Sequence, residues 1–91
     1  MRLALVLAIP LLAAGAEAAE PVIRLVSSLP RTGSANAQTT TIVNGIRLAI
    51  QQAGGSVAGF KIAYEDWDDA SPEQGKWDPA VENLNADRAI A

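Results

Sequence analysis

Three aspartates, Asp66, Asp68 and Asp69, stand within one short stretch, and no other part of the chain gathers charge so tightly. Carboxylates at this spacing can hold a hard cation such as calcium. The EF-hand pattern also needs a glycine and a distal glutamate in register, and neither is present. The same residues suit a solvated turn ahead of a helix, where negative charge near the N-terminus is favoured. Paired-carboxylate catalysis needs two carboxyls of separated pKa in a cleft, and nothing in the sequence marks one. The second polar stretch runs from Ser27 to Gln38 and is rich in small residues. Where such a loop leads into a helix, free N–H groups attract a carboxylate or similar small anion. Ser34, Thr39 and Thr40 can add hydroxyl donors there, although capping alone also accounts for Ser and Thr at a helix start. Trp67 and Trp77 are the two tryptophans. Either can stack on a ligand, but packing is the commoner role of such side chains.

Composition removes several chemistries. The 91 residues contain no histidine and no cysteine. Hydrolase triads, zinc sites, thiolate ligands and a disulfide framework are therefore excluded within this chain. Neither GxGxxG nor GxxxxGK[ST] occurs, so no nucleotide cofactor is expected. The formal net charge is −3, with Lys and Arg scattered singly. Nucleic-acid binding needs a basic stripe, and none is present.

The first residues read as an export signal. Met1-Arg2 supplies a positive start, and Leu3 to Ala14 is apolar throughout, with Pro10 inside it. Small residues follow, and Ala16-x-Ala18 fits the small-x-small cleavage rule, which makes Ala19 the first mature residue. The apolar run is shorter than the roughly 20 residues that span a bilayer, so no stable membrane anchor is expected after cleavage. Residues 1–18 are thus assigned as a signal peptide and 19–91 as the mature part, located in the periplasm. A mature part of about 73 residues without disulfides is near the lower limit for a self-sufficient core, and we expect it to be part of a larger folding unit.

Within 19–91 the patterns alternate. Val22 to Val26 is apolar on both faces except at Arg24, as in a strand covered on both sides. Pro30 and Gly33 punctuate the next segment. From about Ala35 to Ala53 the period is helical, with Ile42, Ile46, Ala49, Ile50 and Ala53 on one face. The Thr39-Thr40-Thr41 run suits the first turn, where hydroxyls can satisfy free donors. Gly54-Gly55 ends the helix. Phe60, Ile62 and Tyr64 alternate with Lys61, Ala63 and Glu65, a strand period. Asp66 to Ala70 reads as an acidic turn. Ser71-Pro72-Glu73-Gln74 has the marks of a capping box, predicting a second helix to about Asp87 with a joint at Pro79. The order βαβα implies an α/β fold with two parallel strands and a right-handed crossover. Ligands in such sheets bind outside the carboxyl ends of the strands, here Ser27–Gln38 and Asp66–Ser71.

The order Pro30-Arg31-Thr32-Gly33, Asn44-Gly45, Gly54-Gly55, Gly59 and Tyr64-Glu65-Asp66-Trp67-Asp68-Asp69 resembles the N-terminal part of the leucine/isoleucine/valine-binding family of periplasmic solute-binding proteins. The resemblance covers essentially all of the mature part. It implies a type 1 periplasmic-binding fold, of which residues 19–91 would be the first part of lobe one, truncated before the hinge and second lobe. It also implies a non-enzymatic role: capture of a branched-chain amino acid or a related amino-acid- or amide-like solute for the permease of an ABC importer. Carried over position by position, Gly33 and Ser34 fall on the ligand-bordering loop, and the helix-start position, often aromatic in the family, falls near Gln38. The alternatives are the N-terminal part of an exported α/β enzyme with its catalytic residues downstream, and a small secreted structural protein.

Overall fold

The computed structural model describes residues 20–91. The expected signal peptide and its cleavage site lie outside the described residues. The strand read at Val22–Val26 is longer than its apolar run: β1 spans Val22–Leu29. The crossover helix α1 is Asn36–Gln52. A two-residue strand β2 (Ser56–Val57) precedes β3, Phe60–Asp68. Strands β4 (Ala70–Ser71) and β5 (Lys76–Trp77) form a small hairpin, and α2 spans Pro79–Ile90.

The protein is a small α/β domain with a mixed sheet in the order β1-β3-β2. β1 and β3 run parallel in the register Ile23↔Ile62, Leu25↔Tyr64 and Ser27↔Asp66. The expected parallel pair is therefore present, but the sheet is not purely parallel, because β2 folds back on β3 through Val57↔Phe60. The sequence reading missed β2. Its turn is Ala58-Gly59, and both residues have positive φ, 50° and 85°. That is the condition of the tight primed turns that match strand twist. An alanine is unusual there, so only the glycine signalled it.

Successive strand residues face opposite sides, and this separates the helices. Tyr64 and Asp66 meet Arg47 of α1. Ser28 and Trp67, on the other face, meet Asn85 and Arg88 of α2. One helix thus covers each side of the β1–β3 pair.

The apolar seam of α1 differs from the one read in the sequence. Val43 is completely buried, Thr39 is buried, and Ile46 and Ile50 are half-buried. Ile42, Ala49 and Ala53, from the expected stripe, are exposed. The apolar arc of this helix includes Val43 as well as Ile42, Ile46 and Ile50. Periodicity alone does not say which edge of the arc makes contact.

The second helix also begins elsewhere than expected. Ser71 Oγ does accept from the Gln74 backbone N–H at 3.1 Å, so the local chemistry of the capping cue is used. The chain then turns at Gly75, with φ of +66°, and returns as β5. The true N-cap is Asp78, whose carboxylate accepts from Ala80 N–H at 2.9 Å, with Pro79 in the first turn. Pro79 therefore starts a helix instead of breaking one. Asp66–Asp68 belong to β3, not to a turn.

Among the described residues, the buried apolar side chains are Val43 and Trp67, while Val22, Leu25, Leu48, Phe60 and Leu84 are exposed. So small a core implies low stability. Thermal unfolding of the chain followed by circular dichroism is expected to be broad, with a midpoint below about 45 °C; a sharp transition above about 60 °C would contradict this. Replacing Ala58 with Asn, which tolerates positive φ, is expected to stabilise the hairpin by about 0.5–1 kcal/mol, measured as a rise in that midpoint.

Candidate functional site

The polar residues singled out in the sequence collect at the carboxyl ends of β1 and β3. Each aspartate has a different environment there. Asp68 binds the loop after β1: its Oδ1 accepts from the backbone N–H of Arg31 at 2.8 Å and of Ala70 at 2.9 Å, and its Oδ2 accepts from Thr32 Oγ1 at 2.7 Å. Burial works to raise the pKa of Asp68, but the bonds from Ala70, Thr32 and Arg31 outweigh it and hold the carboxyl below its ordinary value.

Asp66 receives the side chain of Arg31, with Nε 3.0 Å from its carboxylate. Arg47 of α1 approaches within 3.6 Å. The Arg31 guanidinium also donates to Thr40 Oγ1 at 3.0 Å. One side chain therefore links the β1 loop, the end of β3 and the first turns of α1. Nothing in the sequence distinguished Arg31 from other lone basic residues. Asp69 is buried, unlike its two neighbours. Among the described residues, no group of three or more His, Cys, Asp or Glu side chains is arranged to hold a metal ion. The solvated-turn expectation is corrected: Asp66 and Asp68 sit in strand β3, both Asp68 oxygens accept from protein donors, and Asp66 accepts from Arg31 through one oxygen while its other oxygen, Oδ1, is buried without a hydrogen-bond partner.

Gly33, Ser34 and Gln38 lie along the rim between β1 and α1. Gly33 has φ of +84°, and a Cβ there would overlap the Gly75 carbonyl, coming within 2.7 Å of its carbon. The Ser34 backbone N–H donates to that same Gly75 oxygen at 3.1 Å. The β4–β5 hairpin is thus seated directly on the Gly33 loop, a contact between segments far apart in the chain that the sequence did not reveal. The side chains of Ser34 and Gln38 are exposed. Helix α1 has Ala35 at its N-cap and no side-chain cap. The threonines do not cap as expected: Thr41 donates back to the Ala37 carbonyl at 3.4 Å, and Thr40 turns toward Asn36 Oδ1. Trp67 packs beneath Arg88, whose guanidinium carbon is 3.8 Å from the ring centroid, whereas Trp77 is exposed.

The other face of the rim is fixed by Asn85, also unmarked in the sequence. Its amide donates to Ser28 Oγ at 3.0 Å and to the Asp68 carbonyl at 2.9 Å. The result is a braced polar ledge that exposes Ser34 and Gln38; no enclosed cavity forms among the described residues. Comparison with known proteins found no matching family model, no matching curated protein and no matching solved structure.

Two glycines allow a controlled test. Gly75 also has positive φ, but a Cβ there meets no atom within 4 Å. Gly75→Ala is expected to cost about 1 kcal/mol, the left-handed penalty alone. Gly33→Ala adds a backbone collision and is expected to cost about 2–4 kcal/mol, read as lost amide-exchange protection at Ser34. Asp68 has a depressed pKa, so its contribution is present above its ordinary value of 3.8 and is lost as pH falls through the lower folded value. Asp68→Asn is expected to destabilise the rim by about 1–3 kcal/mol at pH 7 and to flatten the acid side of the stability profile.

Proposed function

We propose that residues 19–91 form the first part of lobe one of an exported solute-binding protein with a type 1 periplasmic-binding fold. In this reading the whole protein binds branched-chain amino acids or related amino-acid- or amide-like solutes and delivers them to the permease of an ABC importer, without catalysis. What supports it is the braced ledge at the carboxyl ends of a parallel strand pair, the position at which open α/β sheets bind ligands. Ser34 and Gln38 stand exposed on that ledge beside a helix start with no side-chain cap. Gly33 serves it indirectly, by letting the β4–β5 hairpin close against the loop. The unit supplies one wall of a cleft, and hinge closure of a second lobe would supply the other.

Two measurements test the reading. Expressed in a Gram-negative host, the chain is expected in the periplasmic fraction with Ala19 as its first residue; retention in the cytoplasm with Met1 in place would reject export. Because one wall does not enclose a ligand, calorimetric titration of the chain with leucine, valine and short amides is expected to show no saturable heat. Tight saturable binding would reject the one-wall arrangement. Translation of the genomic sequence beyond codon 91 separates the classes: further βα units with hinge crossovers support binding, and a GxSxG nucleophile elbow contradicts it.

A further inference from the structure

Among the described residues, Val43 and Asp69 are the most deeply buried side chains, and Asp69 is only 2% exposed. A carboxylate at that depth needs a cation or several donors. Asp69 Oδ1 has no hydrogen-bond partner. The backbone of Asp69 is fixed on both sides: its N–H donates to the Leu29 carbonyl at 3.0 Å, and its carbonyl accepts from Asp78 N–H at 2.8 Å. Asp78 caps α2, and Glu82 N–H donates to the Asp78 carbonyl at 3.0 Å. Glu82 therefore stands one turn into α2, directly above the junction. Glu82 bears on the buried Asp69 carboxyl both as a hydrogen-bonding group and as a like charge, each favouring the protonated form.

Two ionised carboxylates cannot hydrogen-bond to each other; the bond requires one proton between them. The other charged groups nearby do not relieve the pair. Asp68 on β3 and Asp78 at the N-cap are both acidic, and their oxygens are engaged by backbone and hydroxyl donors. Of the basic residues around the junction, Arg31 is turned to Asp66, Arg88 lies over Trp67, and Lys76 on β5 is exposed. We propose that Asp69 and Glu82 share a single proton, and that this carboxyl–carboxylate bond latches α2 onto the end of the sheet, so that losing the proton releases the helix.

Burial first, and then Glu82, push the pKa of Asp69 up to about 6 from an ordinary 3.8. A raised folded pKa means that the latch is fully closed below the unfolded value and is lost as pH rises through about 6. Release withdraws Asn85 from Ser28 and Asp68 and lifts Arg88 from Trp67, so Trp67 reports on the latch from within.

The test uses the full chain with Trp77→Phe, so that Trp67 is the single emitter, at 10 °C between pH 5 and pH 7.5. Trp67 emission is expected to shift to the red with a midpoint near pH 6. Amide protection across α2 is expected to fall about tenfold, while β1 and β3 keep theirs. Asp69→Asn and Glu82→Gln are each expected to remove the midpoint, because an amide bonds a carboxyl without the shared proton. Persistence of the midpoint in both variants would overturn the proposal. So would loss of β1–β3 protection in step with α2, which is global unfolding. Restoration of α2 protection by millimolar calcium at pH 7.5 would also overturn it, since the pair would then be a cation site.

Discussion

Parallel pairing of β1 with β3 constrains everything else in this fold. The two strands are in register from Val22↔Lys61 to Leu29↔Asp68. Parallel neighbours cannot be joined by a tight turn, so the chain must travel back along the sheet before β3 begins. Helix α1 makes that return, and the β2–β3 hairpin reverses the chain into position for β3. A parallel pair also needs cover on both faces. The alternation of the strands hands Tyr64 and Asp66 to α1, and Ser28 and Trp67 to α2.

Cover by apolar contact is thin here, and polar interactions bear much of the load. Among the described residues, the buried apolar side chains are one valine and one tryptophan. The ends of the strands are tied by Asp68 to the β1 loop, by Asn85 to both strands, and by Arg31 to Asp66 and Thr40. Hydrogen bonds to a charged carboxylate are worth more than neutral ones, typically about 1.5–3 kcal/mol net. They are also directional, so they fix the rim geometrically in a way that apolar burial does not. A ledge held in this manner can present Ser34 and Gln38 reproducibly despite the small apolar core beneath it.

Much of this architecture was legible in the sequence, and the parts that were not share a physical cause. The first long strand announced itself by a nearly continuous apolar run, the second and α1 by their periods, and Gly54-Gly55 marked the end of the helix. The parallel relation followed from the order of elements. The errors fell where a local cue fits two structures. Ser71-Pro72-Glu73-Gln74 and Asp78-Pro79 both carry helix-start chemistry, and Gly75 sides with the second by turning the chain at positive φ. The apolar arc of α1 fits more than one packing edge, and Val43, not Ile42, is the buried one. In the site, Gly33 was marked as a loop glycine, but its partner Gly75 lies in a hairpin that the sequence did not reveal. Asp69 was grouped with Asp66 and Asp68 because spacing alone cannot tell a buried carboxyl from an exposed one.

The side-by-side, same-direction arrangement of β1 and β3 is the element on which the ledge, the hairpin seat and the α2 junction all rest. Interstrand nuclear Overhauser contacts in the isotopically labelled chain measure it directly. Contacts linking Ile23 with Ile62, Leu25 with Tyr64 and Ser27 with Asp66 are expected from the register. Contacts joining Val22 to the Asp68 end, or a helical pattern of contacts within either segment, would contradict the account.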